Sequence, residues 1–352
     1  MVVLDLDLIS KPARRSAALP DDIDIAVLIP CYNEAAAIAA VVSGFRAALP
    51  QARIYLYDNN SQDATAAIGE AAGAIVRHER LQGKGNVVAR MFADVEADIY
   101  VLVDGDNTYD SDVAPELIRH LLDHRLDLVN GRREGACGRR GHRFGNDLFN
   151  LITGFVFGSR FEDMLSGYKV MSRRFVKSFP ALATGFEIET ELTVHALRLR
   201  MPVAELVTAY GQRPDGSASK LRTIRDGVRI LGAIVSLFKG ERPLTFFAAV
   251  FALLAIVAVG LALPIIVTYF ETGMVPRLPT AVMAVGVMLL GFLSLTCGFV
   301  LDTVSRGRLE MKRLHYLSLP GPPAYAAASE HEWAKQVRRG SRKIPRTSRR
   351  TG

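Results

Sequence analysis

Short apolar runs alternate with longer segments of helical period through the first half of the chain. Residues 25–30, 53–57, 74–77, 99–103 and 126–130 are mostly apolar, and polar or helical segments separate them, the pattern of buried strands. Between and after them, residues 34–49, 63–72, 85–95, 115–124, 144–157 and 187–200 read as helices. This alternation predicts an α/β fold with a mostly parallel sheet covered by helices. Residues 134–143 and 211–219, rich in Gly and polar side chains and without a hydrophobic period, read as loops.

The pattern changes at Leu221. Leu221, Ile224, Val228, Leu231 and Val235 recur at helical spacing, and Lys220, Arg222, Arg225 and Arg229 lie off that stripe. A basic amphipathic helix of this kind lies in a membrane interface. Residues 244–270 and 278–301 then carry no charge at all. Each is longer than the ~20 apolar residues that cross a bilayer. Lys239, Glu241 and Arg242 precede the pair, and Arg306, Arg308, Lys312 and Arg313 follow it. The positive flanks predict both ends of a two-span hairpin on the cytoplasmic side, with a short outer loop at 271–277. The expected location is the cytoplasmic (inner) membrane, as a multi-pass protein with the α/β domain and both termini in the cytoplasm.

Charge sharpens this picture. The formal net charge is +7, but residues 303–352 hold 12 Lys/Arg against 3 Glu, a local +9 that leaves −2 for the rest. The basic character belongs to the tail, whose last residues, rich in Pro, Ala, Arg and Ser, read as disordered. Nucleic-acid binding would need cations along one folded face, whereas a basic tail beside apolar spans suits an anionic membrane. The three cysteines, Cys31, Cys137 and Cys297, form no CxxC pair and suggest neither a disulfide framework nor a zinc site. The N-terminal residues lack the basic-then-apolar order of a secretory signal.

The candidate chemistry sits where strands end. The fourth apolar run stops at Val103 and is followed by Asp104-Gly105-Asp106. Open α/β sheets bind ligands at the carboxyl ends of their strands. Two carboxylates there suit Mg²⁺ or Mn²⁺, hard cations that also take oxygens from a substrate diphosphate. An isolated acidic pair is as readily a surface turn, so the neighbouring strand ends matter. Pro30-Cys31-Tyr32-Asn33-Glu34 ends the first run, with Asn33 a plausible helix cap. Asp58-Asn59-Asn60-Ser61-Gln62-Asp63-Ala64-Thr65 ends the second.

These motifs, with Gly83-Lys84-Gly85, resemble the inverting, nucleotide-sugar-dependent glycosyltransferases of GT-A fold, glycosyltransferase family 2. The resemblance covers about residues 24–242. It implies donor binding by Pro30, Tyr32, Asn33, Glu34, Asp58, Asn59, Lys84, Asp104 and Gly105, with Asp104 and Asp106 holding the metal on the diphosphate. Asn130-Gly131-Arg132-Arg133, then Arg143, then residues 161–169, 186–191 and 213–221 look like the branch that makes dolichyl-phosphate mannose or bacterial polyprenyl-phosphate sugars. Two transmembrane helices after the catalytic domain also occur in that branch. An anionic acceptor needs Arg or Lys, and the expected phosphate-binding set is Arg132, Arg143, Arg213, Ser219 and Lys220. Each of these cations alone reads equally as a solvated surface charge. Asp163 matches an acidic position of the branch and is the third candidate catalytic residue beside Asp104 and Asp106, or a helix cap. Glu189 and Glu191, two apart on a helix, do not share one face.

Two positions depart from the pattern. Asn59 stands where the family often has a second Asp, and because Asn donates as well as accepts the nucleobase, uracil or guanine, stays open. Thr108 stands where mannose synthases often place a Gln ligand. The expected organisation is an extension at 1–23, a GT-A domain at 24–220, a juxtamembrane helix at 221–242, a hairpin at 243–302 and a basic tail at 303–352. The expected activity is transfer of a hexose from a UDP- or GDP-sugar to polyprenyl phosphate with inversion. The partners are then donor, lipid acceptor and membrane, with no nucleic acid and with room for a homo-oligomer. Two alternatives stay open: a processive polysaccharide synthase, against which the chain has no Gln-x-x-Arg-Trp run, and a membrane-anchored sugar-nucleotide scaffold without catalysis.

Overall fold

The computed structural model describes residues 19–20, 22–134, 163–185, 187–211 and 243–323 of the 352. The expected helices at 144–157 and 221–242 and the tail beyond 323 lie outside the described residues.

A seven-stranded sheet forms the body, in the order β3-β2-β1-β4-β6-β5-β7. Its strands are β1 (Ile25–Cys31), β2 (Arg53–Asp58), β3 (Ile75–His78), β4 (Ile99–Leu102), β5 (Leu128–Arg133), β6 (Lys169–Ser172) and β7 (Val203–Thr208). The first four run parallel, β6 is antiparallel to both β4 and β5, and β5 runs parallel to β7. The five strands expected from sequence are present. Strands β6 and β7 carry Lys169 and Glu205, whose charges interrupt the apolar runs that reveal a strand.

Side chains alternate across the sheet and fill two cores. Ile25, Val27 and Ile29 face α1 (Ile38–Ala48) and α4 (Ala114–Asp123). Ala26, Leu28, Tyr100 and Leu102 face α3 (Lys84–Asp94), α5 (Arg173–Ser178) and α6 (Ile188–Leu199). The small helix α2 (Thr65–Ala71) packs beside α1. Both faces are covered, which is why the parallel strands read as continuous apolar runs.

Two long helices complete the described chain: α7 (Pro243–Thr272) and α8 (Leu278–Ser318). Both are long and apolar enough to cross a membrane, and only 11% and 17% of their most apolar windows are buried. They pack as an antiparallel pair in heptad register. Leu244, Phe251, Ala258 and Ile265 of α7 oppose Ala284, Gly291 and Gly298 of α8; a Cβ on Gly298 would come within 2.9 Å of Phe247 Cβ. The apolar run at 278–301 predicts a helix end near Leu301, yet α8 continues unbroken to Ser318. Residues 302–318 therefore extend the second long helix, and Tyr316 joins the core on the α6 face.

Candidate active site

The carboxyl ends of β1, β2 and β4 lie side by side, with Cys31 in register with Asp58 and Asp58 with His78. Asn33 is not the cap of α1, which starts at Ile38. It takes a left-handed backbone (φ 54°), accepts from Gln62 N at 2.7 Å through Oδ1, and donates its own N–H to Ser61 Oγ at 2.9 Å. Glu34 N donates to Thr65 Oγ1 at 2.9 Å. The first two strand-end loops are thereby sewn into one wall, with Pro30 and Tyr32 partly exposed on it.

Asp58 lies buried in this wall. Its Oδ2 accepts from Ser61 N at 3.2 Å and sits 3.4 Å from His78 Nδ1, while Oδ1 is buried without a hydrogen-bond partner. A buried acceptor left unpaired among the described residues is costly. Asn59 is used differently. Its Nδ2 donates to the carbonyls of Glu79 (2.9 Å) and Leu81 (2.8 Å), and its Oδ1 accepts from Gly83 N (2.7 Å) and Gln82 Nε2 (3.2 Å). All its bonding capacity goes to the loop before α3, so Asn59 shapes that loop. An Asp could not supply the two donations.

That loop delivers Lys84. Gly83 has φ 133°, a backbone that favours glycine, and a Cβ on Gly85 would meet Ala183 O at 2.1 Å. The Lys84 ammonium is buried and donates to both Asp104 Oδ1 and Glu189 Oε1. Burial alone would lower its pKa, but the two carboxylates outweigh that and hold it charged. Asp104 is otherwise closely fitted: a Cβ on Gly167 would lie 2.2 Å from its Oδ2. Gly167 N donates to Tyr109 Oη at 2.8 Å, and burial, then the nearby Asp104, pushes that phenol's pKa up. A Cβ on Gly105 would fall 2.7 Å from Cys31 Sγ. Asp106 Oδ1 accepts from Thr108 Oγ1 at 2.6 Å, so Thr108 orients this carboxylate.

A second polar group lies across β6 and β5. Asp163 is clasped by Arg133, with Nε to Oδ2 at 2.7 Å and Nη2 to Oδ1 at 2.8 Å. Arg133 also stacks over Tyr210, 5.4 Å from the ring centre. Buried Lys169 donates to Asn130 Oδ1 at 2.7 Å, and Asn130 Nδ2 donates to Glu205 Oε1 at 2.8 Å. Burial pushes the Lys169 pKa down to about 8 against the pull of Glu189, Asp163 and Glu205.

The structure thus sets Asp58, Lys84, Asp104 and Asp106 at neighbouring strand ends, and holds Asp163 against β5 through Arg133. Arg143, Arg213, Ser219 and Lys220 lie outside the described residues. Arg132 is half-buried on β5, and the side chain that grips Asp163 belongs to its neighbour Arg133, on the opposite face of the strand. Glu191 is structural: it accepts from the Leu182 and Ala183 N–H groups, at 3.2 and 2.7 Å. Lys169 closes the 161–169 motif but takes no role from sequence alone, although a lysine set among apolar strand residues is a signal in itself.

Among the described residues no cluster of three or more His, Cys, Asp or Glu forms a ready metal cage. Asp104 and Asp106 fit a cation that completes its shell from a diphosphate and water, the usual mode of Mg²⁺ sites. The Asp104 side chain keeps 29% exposure, which leaves it an open side.

Comparison with known proteins agrees with this geometry. Residues 26–179 match the family model "Glycosyl transferase family 2". The chain is 32% identical to glycosyltransferase AglJ of Haloferax volcanii over 85% of its own length and 100% of that protein's. It is 55% identical to protein RfbJ of Shigella flexneri over 34% of its length and 96% of that protein's. Among solved structures, glucosyl-3-phosphoglycerate synthase of Mycobacterium tuberculosis, in complex with Mn²⁺, UDP-glucose and phosphoglyceric acid, superposes with a TM-score of 0.51 at 23% identity. That match covers 62% of this chain and 80% of the synthase, and it supports a shared GT-A fold. Sheet, strand-end site and relatives converge: the chain belongs to glycosyltransferase family 2.

Proposed function

We propose that this glycosyltransferase moves a hexose from a nucleoside diphosphate sugar to polyprenyl phosphate at the inner face of a membrane, with inversion at the anomeric carbon. The observation that carries this reading is the union of a strand-end site with two apolar helices, the second of which docks onto the catalytic body through Tyr316. A lipid-borne phosphate requires that union, and a soluble acceptor does not.

In this reading the unpaired Asp58 Oδ1 accepts from an N–H on the donor base, which both uracil and guanine offer. Tyr32, Asn33 and Glu34 wall the nucleoside, and Asn59 acts through the loop that carries Lys84. Asp104 and Asp106 would hold Mg²⁺ or Mn²⁺, which would supply Lewis-acid neutralisation of the departing diphosphate. Lys84 adds a fixed positive charge beside it. The attacking group is a phosphate oxygen already anionic at neutral pH, so no strong general base is needed. Arg132, Arg143, Arg213, Ser219 and Lys220 receive that phosphate, and Asp163, pinned by Arg133, orients it. Residues 24–220 form the catalytic unit and 221–242 its interfacial helix.

The test is reconstitution of the full chain in vesicles with polyprenyl phosphate, Mn²⁺ and a panel of labelled UDP- and GDP-sugars. A hexose-phosphate lipid identified by mass, lost in Asp104→Asn, is expected. Sugar released only as free hexose, or long polymer in the aqueous phase, would sink the proposal.

A further inference from the structure

We propose that α8 is a strut of fixed length that sets the height and orientation of the active site above the membrane, with Tyr316 and Asp127 as its foot. This rests on the membrane-spanning, lipid-acceptor reading given above.

The foot is a built contact. Tyr316 is 8% exposed, while Met311, Leu314 and Leu317 around it are between 63% and 72% exposed. Its hydroxyl donates to Asp127 Oδ2 at 2.6 Å. Asp127 is completely buried and also accepts from Ser172 Oγ at 2.7 Å and from Arg174 at 2.8 and 3.1 Å. The Arg174 guanidinium lies over the Tyr316 ring at 4.4 Å. His315 Nε2 donates to the Lys177 carbonyl at 3.1 Å, and Leu309 packs on the core of the α6 face.

Asp127 is the residue before β5, so the foot grips one end of the strand whose other end bears Arg132 and Arg133. Six strand residues span about 20 Å. From Leu301, the last residue of the charge-free run, to Tyr316 is about 22 Å at 1.5 Å per helical residue. Tyr316, the farthest contact from the apolar run, meets the base of the sheet. About 10 Å nearer the membrane than Tyr316, Leu309 packs on the core of the α6 face, and burial, then the charge of Lys312, disfavours protonation of His195 on α6. The first turn of α6 carries Glu189 into the active site. Climbing α8 toward the membrane therefore leads from the base of the sheet toward its ligand edge, and places that edge near the lipid head groups.

A seven-residue helical insertion after Arg306 tests this. Seven residues lengthen the strut by about 10 Å and rotate it by only about 20°, so the foot still engages. The full-length variant is compared with wild type in vesicles. Transfer to membrane-embedded polyprenyl phosphate should fall by about a hundredfold, because even a 1 Å misplacement costs that much. Transfer to water-soluble geranyl phosphate should stay unchanged. Energy transfer from a dye on the catalytic body to a dye at the bilayer surface should report the same lengthening. Tyr316→Phe, which loses the hydroxyl contact but keeps the ring, should broaden that distance distribution. Undiminished use of the embedded lipid, equal loss with both acceptors, or an unchanged dye distance would each overturn the strut. If wild type used neither phosphate, the acceptor assignment would fail instead, and the dye distance would still decide the strut.

Discussion

At the scale of single residues, the centre of the site is a salt link that no local pattern encodes. Lys84 stands between Asp104 and Glu189, and the lysine and glutamate are 105 positions apart. Replacing Lys84 by Met would leave the buried Glu189 and the half-buried Asp104 carboxylates facing each other without their cation. Breaking a buried pair by removing one partner costs about 3–5 kcal/mol. The expected outcome for Lys84→Met is a loss of stability of that order in urea unfolding of the detergent-solubilised protein. The double variant Lys84→Met/Glu189→Gln should recover part of it, and failure to recover any would show that the two do not act as a pair. The residues that were legible in the sequence are those that end a strand: Asp58, Asp104 and Asp106 follow apolar runs whose edge is predictable. Lys169 and the Arg133–Asp163 clasp were not, because each depends on which strands become neighbours. Arg132 and Arg133 differ only in the face of β5 they occupy, and a one-residue register decides that.

At the scale of elements, short apolar runs revealed five strands and missed β6 and β7, where Lys169 and Glu205 interrupt the run. The long helices were visible as charge-free runs, but the continuation of α8 was hidden because its surface turns polar after Leu301. How α7 and α8 meet follows from small residues at heptad spacing. A Cβ on Gly291 would stand 3.2 Å from Phe251 Cδ2, and one on Gly298 is closer still to Phe247, whereas Gly286 has nothing within 4 Å. Close approach at small residues is the usual basis of helix association in lipid. Gly298→Ile should therefore destabilise the hairpin by about 1–3 kcal/mol, the usual cost of overpacking. Gly286→Ile, on the open face, should change little. Resistance to SDS-induced unfolding in mixed micelles measures both, and equal effects at the two positions would refute the register.

At the scale of the whole molecule, the proposed chemistry and anchoring together demand one topology. The sheet edge that bears Asp104 and Asp106 must lie on the side where nucleotide sugars are made, and the chain enters α7 and leaves α8 on that same side because the two helices pair antiparallel. The charges agree: Arg306, Arg308, Lys312 and Arg313 line the part of α8 that emerges beside the catalytic body, and such clusters stay in the cytoplasm. On the proposed topology the short link at 273–277 faces outward, with Met274 67% exposed at its turn. In a background with Cys297 replaced by Ser, Met274→Cys should react with a membrane-impermeant maleimide added to intact cells. Ser318→Cys, at the far end of the strut, should react only after permeabilisation. The reverse result would put the catalytic body outside, away from its donor. It would leave the strand-end site intact as a description of the fold while removing the nucleotide sugar from its reach.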